Sequence, residues 1–128
     1  MKEKKIKVLK VEPGKAPETV WLANELSALQ EAVSIGADYV GLIEIVELNA
    51  NTCILCNEEG KLIGLTPNRR FFDDILCGTF YVTGQNKHGD LASLSEGAMK
   101  AFAEHFAVPD VIDPQEVENT LIAKFMTY

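Results

Sequence analysis

Cysteine is scarce in this chain and odd in number: Cys53, Cys56 and Cys77 are all it has. An odd count in a sequence with no export signal argues against a disulfide framework. Long apolar runs are absent as well, since no stretch approaches the roughly 20 apolar residues that a membrane helix requires. The start, MKEKKIKVLKVEPG, passes from lysines into alternation without the apolar block of a signal peptide. A cytoplasmic protein that does not enter the membrane is the expectation. Phosphate-cradling loops and nucleophile elbows are missing too. Gly78-Thr79 and Gly84 read as strand edges, and neither His88 nor His105 stands beside a Ser or Cys in such a motif. No cofactor, metal or catalytic residue is expected on these grounds.

Basic residues are outnumbered, 12 against 19 acids, for a formal net charge of −7. Lys2, Lys4, Lys5, Lys7 and Lys10 crowd the first ten positions, so the remainder is more acidic still. Such a field repels phosphate backbones and argues against direct nucleic-acid binding as a function. The lysines themselves read as the solvent-facing half of a strand.

What is present is ordinary globular composition, 47% hydrophobic and 24% charged over 128 residues. A chain of this length buries about two-thirds of its unfolded surface, which supports one compact core. Cys53 and Cys56 form a C-x-x-C, but the spacers Ile54 and Leu55 are strand residues. Positions i and i+3 of a strand point to opposite faces, so the two thiols diverge and read as buried and inert rather than as a metal or redox pair.

Along the chain, residues 5–11 alternate as a half-buried strand, residues 12–15 turn, and residues 19–22 return. Asn24 is placed to cap a helix over 25–34, with Leu26, Leu29 and Val33 on one face and Gly36 closing it. Residues 39–48 read as a strand buried on most of both faces, followed by a strand over 52–57. Asn57-Glu58-Glu59-Gly60 has the composition of a type I turn with Gly60 left-handed, from which 62–65 returns as a strand. Residues 75–83 form a further strand. Ser93 with Glu96 makes a capping box for a helix carrying Met99, Phe102 and Phe106 on one face. Asp113, Pro114 and Glu116 open a last helix, striped by Val117, Leu121 and Phe125 with Ile122 and Met126 beside them. The order β-β-α-β-β-β-β-α-α predicts an α+β domain with a mainly antiparallel sheet and helices packed on one side.

Between the expected strands lies Thr66-Pro67-Asn68-Arg69-Arg70. Pro67 and Asn68 favour a tight corner, which aims side chains outward. Two adjacent guanidiniums in an acidic protein are candidates for gripping a carboxylate or phosphate through their planar forks. The competing view is that Arg69 and Arg70 pair with Asp73, Asp74 or Glu58. The carboxylate pairs Glu58-Glu59 and Asp73-Asp74 sit on turns where neighbours diverge, which does not suit acid–base work.

The strings VLKVEPGKAPE, CNEEGKLIGLTPNRR, ILCGTFYVTG and GDLASLSE resemble the uncharacterised family catalogued as domain of unknown function 3846. The resemblance covers about residues 5–106, leaving 107–128 as a C-terminal helical extension of a single domain spanning 1–128. It implies a small accessory protein of bacterial mobile elements or phages, and it brings no activity or ligand. Its motif positions fall on Asn57, Glu58, Gly60, Pro67, Asn68 and Arg69. The candidate ligand-binding set is therefore Asn57, Glu58, Asn68, Arg69 and Arg70. Function stays unknown at this level, and three kinds fit. The first is a binding or regulatory protein that engages an anionic ligand or a protein partner at the corner. The second is an acidic nucleic-acid mimic acting through Asp113, Glu116 and Glu118. The weakest is an enzyme using Cys56 or Arg69 on a nucleotide-like anion.

Overall fold

The computed structural model describes residues 3–126, the last four by their backbone alone. Lys2 and the side chains of Phe125 and Met126 lie outside the described residues. The architecture is α+β with the expected order of elements and a largely antiparallel sheet. The strands β1 (Lys5–Val11) and β2 (Glu18–Ala23) form the N-terminal hairpin, and α1 (Leu26–Ala32) follows. Next come β3 (Ile43–Asn49), β4 (Thr52–Asn57), β5 (Pro67–Phe71), β6 (Asp74–Cys77), β7 (Phe80–Gln85) and β8 (Leu91–Ala92). The helices α2 (Glu96–His105) and α3 (Pro114–Met126) end the described chain. The main sheet runs β2-β1-β7-β4-β3 with β8 on β7, while β5 and β6 make a separate hairpin.

Alternation in the central strands explains the layers. On one face, Leu9, Val11, Ile54, Phe80 and Val82 pack with Met99, Phe102 and Phe106, so α2 covers this side. On the other, Ile6, Val8, Leu55 and Tyr81 pack with Leu29 and Val33 of the α1 region, and the Tyr81 hydroxyl donates to the Ala32 carbonyl at 3.0 Å. The helices thus divide between the two faces instead of sharing one, because both parities of β1 and β4 are apolar and each needs cover. The lysines at and before β1 behave as expected at the solvent end: Lys4, Lys5 and Lys7 are exposed, and Lys10 pairs with Glu12 at 2.9 Å. A third cluster joins Leu65, Ile75 and Cys77 of the β5–β6 region to Ile112 and Val117, which seats α3 on the hairpin.

Several local expectations are corrected. The strand expected over 39–48 begins only at Ile43, because the Ser34 hydroxyl accepts the Gly41 N–H at 2.9 Å and diverts the preceding chain. It is also an edge strand, with much of its surface exposed. Residues 62–65 are not a strand. The Gly64 N–H bonds to the Lys61 carbonyl at 3.3 Å and the Leu65 N–H to the Gly60 carbonyl at 2.9 Å, the paired bonds of a Schellman closure. Gly64, at φ 75°, takes the left-handed position expected of Gly60. Gly60 is needed for a different reason, since a Cβ there would meet the Cys77 carbonyl oxygen at 2.7 Å.

The expected strand over 75–83 breaks at Gly78, φ 84°, and its two parts join different sheets. Asn24 does not cap α1; its side-chain amide donates to the carbonyls of Glu3 at 2.9 Å and Leu91 at 3.3 Å. Ser95, not Ser93, caps α2 by accepting the Ala98 N–H, while Ser93 is held by Lys7 N and Glu3. Asp113 does cap the start of α3, accepting the Gln115 N–H at 2.8 Å.

Candidate functional site

Residues 66–70 do not form a solvent-facing corner. Asn68 and Arg69 lie in strand β5, with a register irregularity between Pro67 and Arg69 opposite β6. A regular strand would send two consecutive side chains to opposite sides, and an irregularity of this kind re-aims them. Both are buried: Asn68 is 0% and Arg69 1% exposed. The Asn68 amide donates to the Val11 and Gly78 carbonyls, each at 2.9 Å, and its oxygen accepts from Arg69 Nη1 at 2.7 Å.

Arg69 spends its remaining donors on main chain. Nε and Nη2 reach the Phe106 carbonyl at 3.3 and 2.9 Å, Nη2 also reaches the Lys15 carbonyl at 2.7 Å, and Nη1 reaches the Asn68 carbonyl at 3.2 Å. One guanidinium therefore ties the β1–β2 turn, strand β5 and the end of α2 together. Among the described residues it has no ion-pair partner. Burial lowers its pKa from the ordinary 12.5, and the charge of Asp110 opposes that shift. It stays protonated at any physiological pH because guanidinium is so weak an acid.

Arg70 turns the other way. Its Nε and Nη2 bind the two oxygens of Glu116 at 2.6 and 2.8 Å, Nη2 also bonds the Val111 carbonyl at 3.1 Å, and Asp110 lies 3.7 Å from Nη1. The pairing foreseen with Asp73, Asp74 or Glu58 is made instead with acids some forty residues away in sequence. The same fork removes Glu116 from the acidic C-terminal cluster, and Asp113 is occupied at the helix start.

Asn57 and Glu58 belong to another place. Asn57 is 6% exposed, its oxygen accepts the Glu59 N–H at 2.9 Å, and its amide faces the Ser34 hydroxyl at 3.4 Å. None of its side-chain bonds reaches Asn68, Arg69 or Arg70, so the five candidate residues split into two groups. Asn57 and Glu58 line a cleft of about 280 Å³ whose wall also includes Glu44, Cys56, Glu59, Lys61, Leu62, Asp74, Ile75, Leu76, Cys77 and Leu121 of α3.

Among the described residues of its lining, Glu44, Glu58, Glu59 and Asp74 are acidic and Lys61 alone is basic, and Lys61 pairs with Asp74. Glu44, Lys61, Asp74 and Leu121 were not foreseen. The registration of Glu44 opposite Cys56 is the one local signal that could have joined two of these residues. Lys61 and Asp74 meet only through the irregular turn and the hairpin.

The three thiols are free and buried. Cys53 lies beside Thr83, its sulfur 3.0 Å from the hydroxyl, and strand alternation sends Cys56 to the opposite face. In the cleft wall, burial and then the Glu44 carboxylate push the Cys56 thiol up to about 12. A nucleophilic cysteine needs the reverse, a cationic neighbour that stabilises thiolate. Cys77 and Cys53 are also raised, chiefly by burial.

In comparison with known proteins, the family model described as "Domain of unknown function (DUF3846)" matches residues 6–107. The match ends just past α2, so α3 lies beyond it. No curated protein and no solved structure matches the chain. Among the described residues no helix is long and apolar enough to cross a membrane.

Proposed function

This chain belongs to the domain of unknown function 3846 family, and from that premise we propose that it is a non-enzymatic binding protein whose cleft holds a cationic side chain of a partner protein. The supporting observation is the cleft's lining. Exposed acidic Glu44, Glu58 and Glu59 share the lining with the less exposed apolar residues Ile75, Leu76 and Leu121, and Lys61 is occupied by Asp74. A lysine or arginine has that same division, an aliphatic stem that lies on apolar surface and a charged head that seeks carboxylates. The volume, about 280 Å³, is at the small end of the range for ligand pockets and suits a side chain better than a large metabolite. Anion gripping at residues 68–70 draws no support from their bonding, because Arg69 is turned inward and Arg70 already holds Glu116. Thiol catalysis at Cys56 is disfavoured by the raised thiol.

The test is a thermal-shift and calorimetry series with short lysine- and arginine-bearing peptides, spermidine and nucleotides. Basic peptides are expected to stabilise the protein saturably, by about 2.7 kcal/mol at a hundredfold excess over Kd, and nucleotides to do nothing. Glu58→Lys combined with Glu59→Lys should abolish the effect without unfolding the chain. Stabilisation by nucleotides, or no response to any basic peptide, sinks the reading.

A further inference from the structure

Three large apolar side chains stand further into solvent than any other among the described residues: Val111 at 93%, Phe72 at 89% and Val108 at 78% exposure. The two segments that carry them are tied together by Arg70. Phe72 opens the two-residue turn between β5 and β6, two positions after Arg70. Val108 and Val111 lie in the α2–α3 connection on either side of Asp110, whose carboxylate accepts the Arg70 N–H at 2.9 Å, while the Val111 carbonyl accepts from the Arg70 side chain at 3.1 Å.

Phe72 is an odd choice for a turn that only has to reverse the chain. Its φ of 55° makes it the one non-glycine residue in the left-handed region among the described residues. Glycine or asparagine takes that position in tight hairpins at little cost, whereas a bulky side chain is strained there. The ring does little for the core. It stands edge-on to the half-buried Phe71 at 4.6 Å, and Phe71 is in turn backed by the buried Phe106 at 6.1 Å, so a short aromatic row supports it from behind. An aromatic held out of the fold on a supported base is the usual anchor of a protein interface, where it fills a pocket on the partner.

The charges nearby decide what kind of pocket. Asp73 follows Phe72 directly and has no ion-pair partner among the described residues, while Asp110 and Asp113, on either side of Val111, are held by Arg70 and by the start of α3 and add their negative charge to the field. The basic residue among them, Arg70, is already paired with Glu116 and Asp110. A second copy of this chain is a poor occupant, because its own cleft is lined by Glu44, Glu58 and Glu59 and would repel an acidic tip. An anionic bilayer is repelled for the same reason. We propose that Phe72, Val108 and Val111 form a docking surface for a partner protein that presents an apolar pocket rimmed by lysine and arginine, with Phe72 as the anchor. This surface is independent of the cleft and does not rest on the function assigned to it.

The experiment selects a phage-displayed library of random peptides on the full chain, with counter-selection on Phe72→Ser. Enriched peptides are expected to combine a basic cluster with large apolar residues. They should bind the wild type at least about tenfold more tightly than Phe72→Ser and weaken as salt rises from about 0.05 to 0.5 M. Peptides that bind both proteins equally, or that lack the basic cluster, overturn the proposal. Two controls keep the result interpretable. Phe72→Gly should melt no lower than the wild type, since glycine relieves the φ, and should lose the same peptides; a clear fall in Tm would mean the ring is structural and would overturn it. Light scattering should find wild type and Phe72→Ser equally monomeric; an oligomer that Phe72→Ser dissolves would assign the surface to a second copy and overturn it as well.

Discussion

Arg69 and Glu58 are both charged, both lie within the stretch 56–70 and both fall inside the region that matches the family, yet one is 1% exposed and the other open to solvent. Arg69 sits where three chain segments turn carbonyl oxygens inward, at Lys15, Asn68 and Phe106, and a planar group with five donors is the one side chain that answers all three. Glu58 sits on a turn where its own N–H is already satisfied by the Leu42 carbonyl, which leaves its carboxylate without a partner among the described residues, in the lining of a cleft. A charge is structural when its surroundings need its hydrogen bonds, and it is available for recognition when they do not.

The largest expected effect tests the structural side of that contrast. Arg69→Ala leaves several buried carbonyls without donors and opens a cavity, and should cost about 3–5 kcal/mol in urea unfolding. Arg69→Lys should recover less than half of that, because an ammonium on a flexible stem cannot span the three directions. Glu58→Ala should change stability by less than about 0.5 kcal/mol. Near-equal values for Arg69→Ala and Glu58→Ala would break the comparison.

How much of this was legible in the residues depends on the range of the forces involved. Strand β1, strand β4 and the start of α3 follow from patterns within a few positions: alternation, β-branching, and the Asp113-Pro114 cap. Strand β5 does not, because its inward residues are polar and are held by carbonyls 37 and 54 positions away. PNRRF carries no apolar alternation to reveal it, and exposure is the ordinary assumption for adjacent arginines. The turn at 59–65 misled for a similar reason. Ile63 and Leu65 alternate like a strand, but Gly64 in the left-handed region closes a helical turn instead. The cleft assembles from four separate segments, 44, 56–62, 74–77 and 121, and no spacing in the chain announces it.

A middle-sized effect concerns the cleft wall and the core on the α1 face of the sheet. The Cys56 thiol and the Tyr81 hydroxyl are both pushed up to about 12, mainly by burial. Each stays neutral in the folded chain after the unfolded chain has begun to ionise, near 9.0 for the thiol and 10.0 for the phenol. Their contribution is therefore fully present below about pH 9 and is lost as pH rises toward 12. The slope is about 1.4 kcal/mol per pH unit for each group once its unfolded form is ionised. Urea unfolding at a series of alkaline pH values should show this loss, and Cys56→Ala should remove its share of the part that sets in first, to which the buried Cys53 and Cys77 thiols also contribute. A stability that stays flat up to pH 11 would mean the thiol is reachable by water, and would return Cys56 to consideration as a reactive group.

The smallest effect sharpens the contrast by setting Arg69 against its neighbour. Arg70 and Glu116 hold α3 to the hairpin through a fork that is 45% and 38% exposed, alongside a thin apolar contact of Ile112 and Val117 with Leu65, Ile75 and Cys77. The bond from Arg70 lowers the Glu116 pKa below the ordinary 4.5, so its support is present above that value and lost as pH falls through the lower folded value. Exposed pairs are screened by salt and weak on their own. Glu116→Gln should therefore leave the global Tm almost unchanged while amide exchange over residues 114–122 speeds up, and high salt or mild acid should do the same to the wild type. Exchange in β1, β4 and β7 should not respond. Because Leu121 forms part of the cleft wall, the same loosening should widen the cleft and change its affinity for basic peptides. If the sheet amides accelerate together with those of α3, then the helix is part of the cooperative core after all, and Arg70 is as structural as Arg69.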